Sequence, residues 1–213
     1  MKIHYAGAFN GDIDKLPHRE HEKNAVRFNE PETPEELKKV GARVAPTMFL
    51  VESIPLFVLG IYPVDLPVLS FFAGVGLVVL TLPVHELLHA ICFKEDVYIF
   101  SNLKRGMAFT VGTESMTKKR FVFMSLLPNV VLGLFPYTAF LVSRFYLGAA
   151  GHIAATGMTG STAVMETMGV MGFFALPMGV GDYVNVRNCI LQMPKDALTY
   201  IDGMHSYWFT EDC

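Results

Sequence analysis

Positive charge is missing from a long stretch of this chain, since residues 45–93 contain no lysine or arginine. Charged residues form only 17% of the sequence, below the roughly 25% of typical soluble domains, and hydrophobic residues form 52%. Residues 1–44, by contrast, are polar and hold eight of the 17 lysines and arginines. This distribution predicts a polar amino-terminal arm joined to a membrane-embedded body. A soluble protein built from two layers of buried helices is the alternative.

Three further absences narrow the class of protein. The net charge is −3, so the basic excess typical of nucleic-acid binding is lacking and no nucleic-acid partner is expected. The three cysteines, Cys92, Cys189 and Cys213, form no CxxC pair, which argues against a disulfide scaffold and fits a reducing compartment. The arm is too polar to supply the apolar core of a signal peptide, so we expect the first membrane span to act as its own insertion signal.

Four apolar segments follow the arm and predict the fold class, an all-α membrane protein with four transmembrane helices. They cover residues 45–62, 66–93, 121–142 and 161–180. The side that carries more lysine and arginine faces the cytoplasm. With the amino terminus inside, 16 of the 17 lie on the inner side and only Arg144 lies outside. The sequence therefore predicts a multi-pass protein of the lipid bilayer with both termini in the cytoplasm.

Two polar segments carry local signals. Residues 1–32 show little periodicity and predict an irregular arm, with a disordered tail as the alternative. The stretch TPEELKKVGARV begins with Thr33, which can cap a helix, and Pro34, which suits its first position, so a short surface helix is expected. In the loop 94–120, VYIFSNLKRGMAFTVG contains two β-prone runs and predicts a hairpin. A free strand edge there can bind an extended peptide, whereas an ordinary interfacial loop is the alternative.

The motif HELLH places two histidines and a glutamate in an apolar run, where ionisable groups are costly. On a helix, His85 and His89 lie on one face about 6 Å apart, and both can bind one zinc ion as neutral imidazoles. Glu86 adjoins the first histidine and is the candidate general base for a water molecule activated by that zinc ion. The alternative is a pair of hydrogen-bonded core histidines, with Glu86 reaching the membrane interface.

A catalytic zinc ion usually has three protein ligands and one open position, so a third ligand is needed. Asp182 is the best candidate, because it follows PMGVG at the inner end of the fourth apolar segment, level with HELLH at the inner end of the second. A helix-boundary aspartate is its alternative role. Four other candidates are weaker: Cys92 on the same helix as HELLH, His152 in an outer loop, His205 in the tail, and Glu166 nearer the outer end of its span.

Two more polar residues lie inside apolar segments. Asn129, in LLPNVV, is the candidate substrate-binding residue, through a hydrogen bond to the substrate backbone or to the oxyanion. The alternative role of this side chain is a hydrogen bond between helices. Glu52, in the first segment, is expected to be a structural partner.

Three stretches together resemble the putative zincin peptidases, a family of small bacterial membrane proteins. They are HELLH, MTKKRFVFMSLLPNVV at the start of the third span, and GVGDYVNVRNCILQMPKDA after the fourth. The resemblance covers about residues 45–205, a membrane-embedded peptidase domain, and leaves 206–213 as a carboxy-terminal tail. A more remote likeness is to the site-2 intramembrane metalloproteases.

The resemblance implies a zinc peptidase of the bacterial cell membrane that cuts near or within the bilayer. It implies His85 and His89 as zinc ligands, Glu86 as general base and Asp182 as third ligand. The chain departs from site-2 proteases, which supply the aspartate from an Asn-Pro and Leu-Asp-Gly pattern. Here the order is Gly-Asp, and a Pro-Asn pair lies in the preceding span.

Two functions of different classes follow from these residues. The first is a membrane-embedded zinc endopeptidase that hydrolyses a protein or peptide substrate. The second is a non-catalytic zinc-binding scaffold or regulator, which needs a closed four-ligand site and has no need of Glu86. A small transporter is a third hypothesis, disfavoured because the four spans show no clear internal repeat.

Overall fold

The protein consists of two compact units. A computed structural model of the chain describes residues 1–62, 66–102, 107–149 and 160–211. Unit 1 contains Met1–Leu37, Leu82–Pro128 and Gly181–Cys213, and unit 2 contains Lys38–Thr81 and Asn129–Val180.

Six α-helices form most of the described chain. They are α1 Pro34–Val58, α2 Val68–Ala90, α3 Lys118–Pro128, α4 Phe135–Ala149, α5 Gly160–Ala175 and α6 Val180–Gln192. A π-helical segment, Asn129–Leu134, joins α3 to α4. A 3-10 helical turn, Leu176–Gly179, joins α5 to α6.

Four helical stretches are long and apolar enough to cross a membrane. They are Glu35–Val58, Val68–Ala90, Lys118–Tyr146 and Thr162–Gln192. Large apolar side chains on α1 and α2 are exposed, among them Leu50, Ile54 and Phe57 on α1 and Leu69, Phe72 and Val79 on α2. Exposed apolar surface of this extent is typical of helices that contact another apolar phase such as lipid. These helices agree with the predicted membrane protein.

The amino-terminal boundary of the first span differs from the prediction. The surface helix expected after Thr33 and the span expected from residue 45 form one continuous helix, α1. At its start the Thr33 hydroxyl accepts a hydrogen bond from the Glu36 amide, 3.2 Å, as the capping pattern predicted. Pro46 does not end the helix, because proline is tolerated inside membrane helices.

The carboxy-terminal boundary of the fourth span also differs. The helical stretch continues beyond residue 180 to Gln192. Asp182 therefore lies inside a helix, in the first turn of α6, and not in the segment that follows the span. The more polar sequence of α6 obscured this continuation, because its helical face is only partly apolar.

Seven short strands in the described residues form two sheets, both in unit 1. The strands are β1 Ile3–Ala8, β2 Val26–Arg27, β3 Val97–Asn102, β4 Met107–Val111, β5 Met116–Thr117, β6 Leu198–Asp202 and β7 His205–Phe209. The first sheet has the order β1-β3-β4, and the second has the order β2-β7-β6-β5. Strand β1 runs parallel to β3, whereas all the other pairs are antiparallel.

The described residues are mostly helical with four long apolar helices, as predicted, but the strands of unit 1 correct the all-α fold class and the expected irregular arm. The arm supplies β1 to the first sheet and β2 to the second, and part of the expected tail forms β7. Both arm strands pair with segments far away in sequence, so local periodicity could not reveal them. Strands β3 and β4 pair antiparallel from Tyr98↔Val111 to Asn102↔Met107, and residues 103–106, the predicted hairpin turn, lie outside the described residues.

The core of unit 1 joins side chains of α3 and α6 and the end of α2 to the arm. Phe93, Phe121, Met124 and Cys189 are buried together with Phe28 from the arm. A second cluster buries Leu16, also from the arm, against β3 and β4. The arm is thus an integral part of the packing of unit 1.

The core of unit 2 depends on close helix contacts at glycines. A β-carbon at Gly172 of α5 would lie 2.6 Å from the Gly133 carbonyl oxygen and 2.7 Å from the Tyr137 amide nitrogen. A β-carbon at Gly169 would overlap the Phe140 ring of α4. Small residues allow membrane helices to approach in this way.

Replacing Gly74 of α2 with valine should destabilise unit 2. A β-carbon at this position would lie 2.6 Å from the Val170 β-carbon and 2.7 Å from the Thr167 carbonyl oxygen, and overpacking of this kind costs about 1–3 kcal/mol. The matched control is Gly76→Val on the same helix, where a β-carbon meets no atom within 4 Å. Thermal unfolding in detergent is the measurement, and equal melting temperatures of the two variants would contradict the described packing.

Candidate metal centre

The HELLH motif forms the last turns of α2, in unit 1. One helical turn separates His85 from His89, so the two rings lie on the same face, with centroids 4.8 Å apart. Asp182, in the first turn of α6, faces them from the same unit. The structure thus places Asp182 beside two histidines although it lies 97 residues after His85 in the sequence.

The ligand atoms of these three residues converge on one point. The His85 Nε2 atom lies 3.1 Å from Asp182 Oδ2, and the His89 Nε2 atom lies 3.2 Å from Asp182 Oδ1. The two Nε2 atoms are 3.1 Å apart. No other group of three or more potential ligands from His, Cys, Asp and Glu is this compact in the described residues.

The hydrogen bonding of His89 directs a lone pair into this cluster. Its Nδ1 lies 2.9 Å from the Met124 carbonyl oxygen, which can only accept, so Nδ1 carries the proton. In the neutral ring Nε2 is then unprotonated and faces His85 and Asp182. A backbone carbonyl in this position is the usual outer partner of a metal-binding histidine.

The cluster fits a zinc ion in both chemistry and spacing. Two imidazole nitrogens and a carboxylate oxygen form a donor set that zinc accepts, and three protein ligands are typical of catalytic zinc sites. Ligand atoms at the usual distance from a tetrahedral zinc ion are roughly 3.3 Å apart, close to the 3.1 and 3.2 Å separations observed. His85 is the most accessible of the three, with 22% of its side chain exposed.

Glu86 lies beside the cluster and is buried, with 6% of its surface exposed. Its Oε2 atom accepts a hydrogen bond from the Thr110 hydroxyl, 2.9 Å, and the same hydroxyl lies 3.1 Å from the Glu86 backbone carbonyl. Thr110 belongs to β4, an edge strand of the first sheet. The sheet therefore contacts the candidate general base directly.

An ion pair fixes the chain just after α2. Arg120 donates to the Cys92 carbonyl from Nε and NH2, at 3.0 and 2.6 Å, and forms an ion pair with Glu114. Glu114 also accepts hydrogen bonds from the backbone amides of Lys94 and Glu95. Burial disfavours the ionised carboxylate, but these hydrogen bonds and the Arg120 charge outweigh it and lower the pKa of Glu114. The loop that follows HELLH is therefore held by a charged, fully hydrogen-bonded carboxylate.

Three of the weaker candidates for the third ligand contact other groups. The Cys92 thiol donates to the Leu88 carbonyl and does not belong to the converging group. The Arg27 guanidinium lies 2.9 Å from a ring nitrogen of His205. Glu166 pairs with Arg144 within unit 2, 3.5 Å. His152 lies outside the described residues.

Asn129 and Glu52 belong to unit 2. Asn129 is buried and begins the π-helical segment, and its side-chain amide packs so closely on Gly179 that no β-carbon fits there. A substrate-binding role for Asn129 stays a prediction. The Glu52 backbone carbonyl accepts a hydrogen bond from the Tyr137 hydroxyl.

Sequence reasoning missed three partners of the cluster: the Met124 carbonyl, the Thr110 hydroxyl and the Glu114–Arg120 pair. A carbonyl carries no sequence signal at all. Thr110 lies in the β-prone run whose hairpin was predicted, but its contact with Glu86 depends on how that strand packs against α2. The charged pair could have been suspected only as two opposite charges near the motif.

A model of the family described as putative zincin peptidase matches residues 78–198. The chain belongs to this family. The match confirms the resemblance noted in the sequence, and it spans HELLH, Thr110 and Asp182. Comparisons with curated proteins and with solved structures found no match. Membership of a zincin family suggests a metallopeptidase and agrees with the zinc-compatible donor set of the cluster.

The purified wild-type protein should contain about one zinc ion per chain, and the Asp182→Ala and His89→Ala variants should lose most of this zinc. Glu86→Gln should retain it, because Glu86 is not one of the converging ligands. Asp196→Ala, at an exposed aspartate of the same unit, is the matched control and should retain it as well. Elemental mass spectrometry on detergent-purified protein is the measurement. Equal zinc content in Asp182→Ala and Asp196→Ala would remove Asp182 from the site.

Proposed function

We propose that this protein is a zinc endopeptidase of the bacterial cell membrane, with both termini in the cytoplasm and its active site open to that side. The observation that carries the proposal is the convergence of His85, His89 and Asp182 beside the buried Glu86. Three protein ligands with an open position are typical of catalytic zinc sites, and an adjacent glutamate is the general base of metallopeptidases with this motif. The orientation rests on the 16 lysines and arginines assigned to the inner side.

His85, His89 and Asp182 would hold the zinc ion in this mechanism. Bound zinc would supply the Lewis acidity that polarises the scissile carbonyl and acidifies the attacking water. The Met124 carbonyl keeps the His89 ring in the required tautomer and orientation. The Glu114–Arg120 pair and its contacts with the Cys92 carbonyl hold the end of α2, and with it the position of both histidines.

Glu86 acts as the general base and then as the general acid. Its Oε2 atom accepts the Thr110 hydroxyl, whereas Oε1 makes no hydrogen bond within the described part of the chain. Oε1 therefore takes the proton from the attacking water as its oxygen bonds to the scissile carbonyl carbon. The same proton passes to the amide nitrogen as the C–N bond breaks, which gives one carboxylic acid and one amine, and these ionise to a carboxylate and an ammonium group.

The free edge of β4 supports an extended peptide as substrate. Within the described residues β4 pairs only with β3, so its outer edge has unpaired backbone groups. An extended chain can add to such an edge through main-chain hydrogen bonds, and Thr110 places this edge next to Glu86. Substrates are then membrane-associated proteins that present an extended segment at the cytoplasmic side of the bilayer.

A scaffold with structural zinc explains less of the geometry. A structural site is closed by four protein ligands, whereas three converge in the described residues. It also leaves the buried carboxylate of Glu86, and its hydrogen bond to Thr110, without a purpose.

Glu86→Gln should reduce cleavage by about 10²- to 10⁴-fold, the usual contribution of a general base, while zinc is retained. The measurement is mass spectrometry of new amino termini in the membrane fraction of cells that produce wild type, Glu86→Gln or Glu95→Gln. Glu95 is an exposed glutamate shortly after the same helix, so Glu95→Gln is the matched control and should cleave like wild type.

The same comparison tests the substrate class and the orientation. Cleavage sites should lie near the cytoplasmic ends of membrane segments and lack proline at the paired positions, since proline cannot donate to a strand ladder. Sites on the outer side would contradict the orientation. Identical new termini in wild type and Glu86→Gln would contradict the peptidase.

A further inference from the structure

The single proton of the Thr110 hydroxyl has two acceptors within reach, and both belong to Glu86. It lies 2.9 Å from Glu86 Oε2 and 3.1 Å from the Glu86 backbone carbonyl. A hydroxyl has one donor and can also accept. The contact therefore joins a side chain on the edge strand β4 to both ends of one glutamate on α2.

This contact selects the rotamer of the Glu86 side chain. A glutamate has three rotatable bonds and loses substantial entropy when it is held in one orientation. Glu86 Oε2 has this one hydrogen bond within the described chain, so removal of the hydroxyl would leave both carboxylate oxygens of a buried group unanchored.

The hydroxyl can also serve Glu86 in both of its chemical forms. Toward the carboxylate it donates its proton. After Glu86 has taken a proton from water at Oε1, Oε2 is the carbonyl oxygen of the carboxylic acid and still accepts, so the hydroxyl keeps donating to it. The contact can therefore persist throughout the proton transfer.

We propose that Thr110 is a positioning residue that holds the Glu86 carboxylate in the orientation required for proton transfer. The inference rests on the proposed peptidase function for its catalytic consequence. The hydrogen bond itself exists independently of that function, so the two can be tested separately.

Thr110→Val preserves the shape of the side chain and removes the hydroxyl, whereas Thr110→Ser retains it. With fluorescently labelled casein, an unfolded polypeptide, as substrate, Thr110→Val should lower kcat about ten- to a hundredfold, the rate equivalent of a hydrogen bond to a charged group. KM and zinc content should stay at wild-type values, and Thr110→Ser should retain most of the rate. In the Glu86→Gln background, Thr110→Val should cause no further loss.

The matched control is Thr199→Val, which removes a threonine hydroxyl from the second sheet of unit 1. The Thr199 hydroxyl donates to the Tyr207 carbonyl, 2.9 Å, so this variant should leave kcat unchanged. A wild-type kcat in Thr110→Val would overturn the proposal, and so would an equal loss in Thr110→Ser or an equal loss in the Glu86→Gln background.

A second readout does not depend on cleavage. The infrared carboxylate band of Glu86, identified as the difference between wild type and Glu86→Gln, should shift in Thr110→Val and keep its position in Thr110→Ser and Thr199→Val. An unshifted band in Thr110→Val overturns the positioning role. If wild type and Glu86→Gln give identical new amino termini in the membrane fraction, the proposed function fails while this band still decides the role of Thr110.

Discussion

The contact of one carboxylate with two histidine rings is the interaction on which the rest of unit 1 depends. Asp182 is 8% exposed and its two oxygens face His85 and His89. A buried carboxylate is costly unless a positive charge or several hydrogen bonds compensate for it. The unprotonated Nε2 of His89, the Nε2 of His85 and the carboxylate point at one another, an arrangement that a bound cation compensates. This requirement ties the end of α2 to the start of α6.

Each surrounding contact restricts one degree of freedom of this cluster. The Met124 carbonyl sets the ring of His89, Thr110 anchors Glu86, and the Glu114–Arg120 pair fixes the chain beyond α2. These partners come from α3, from the first sheet and from the loop between them. The first sheet thus brings a hydroxyl to the end of an apolar helix, and within the described residues the outer edge of its strand β4 has no strand partner.

The sequence was most informative where a strong local pattern met a chemical requirement. A helix alone places the two histidines of HELLH on one face, and the length of an apolar run alone identifies a candidate membrane span. The histidine pair and the four apolar helices could therefore be predicted. Asp182 was reached by matching the depth of two spans, and it lies beside the histidines. Local patterns did not predict the strands of the arm, because β1 pairs with β3 some ninety residues away and β2 has only two residues. Thr110 and Met124 were invisible for a related reason, since their roles follow from tertiary packing and, for Met124, from a backbone atom.

X-ray absorption spectroscopy of the zinc-loaded wild-type protein tests the central claim most directly, because it counts and identifies the atoms around the metal. A first shell of nitrogen and oxygen at about 2.0–2.1 Å with two imidazoles and no sulfur is the predicted result, and it leaves a position for water. A sulfur shell at about 2.3 Å, or a third or fourth imidazole, would show a closed site with other ligands. Either of those spectra would contradict a catalytic centre formed by His85, His89 and Asp182.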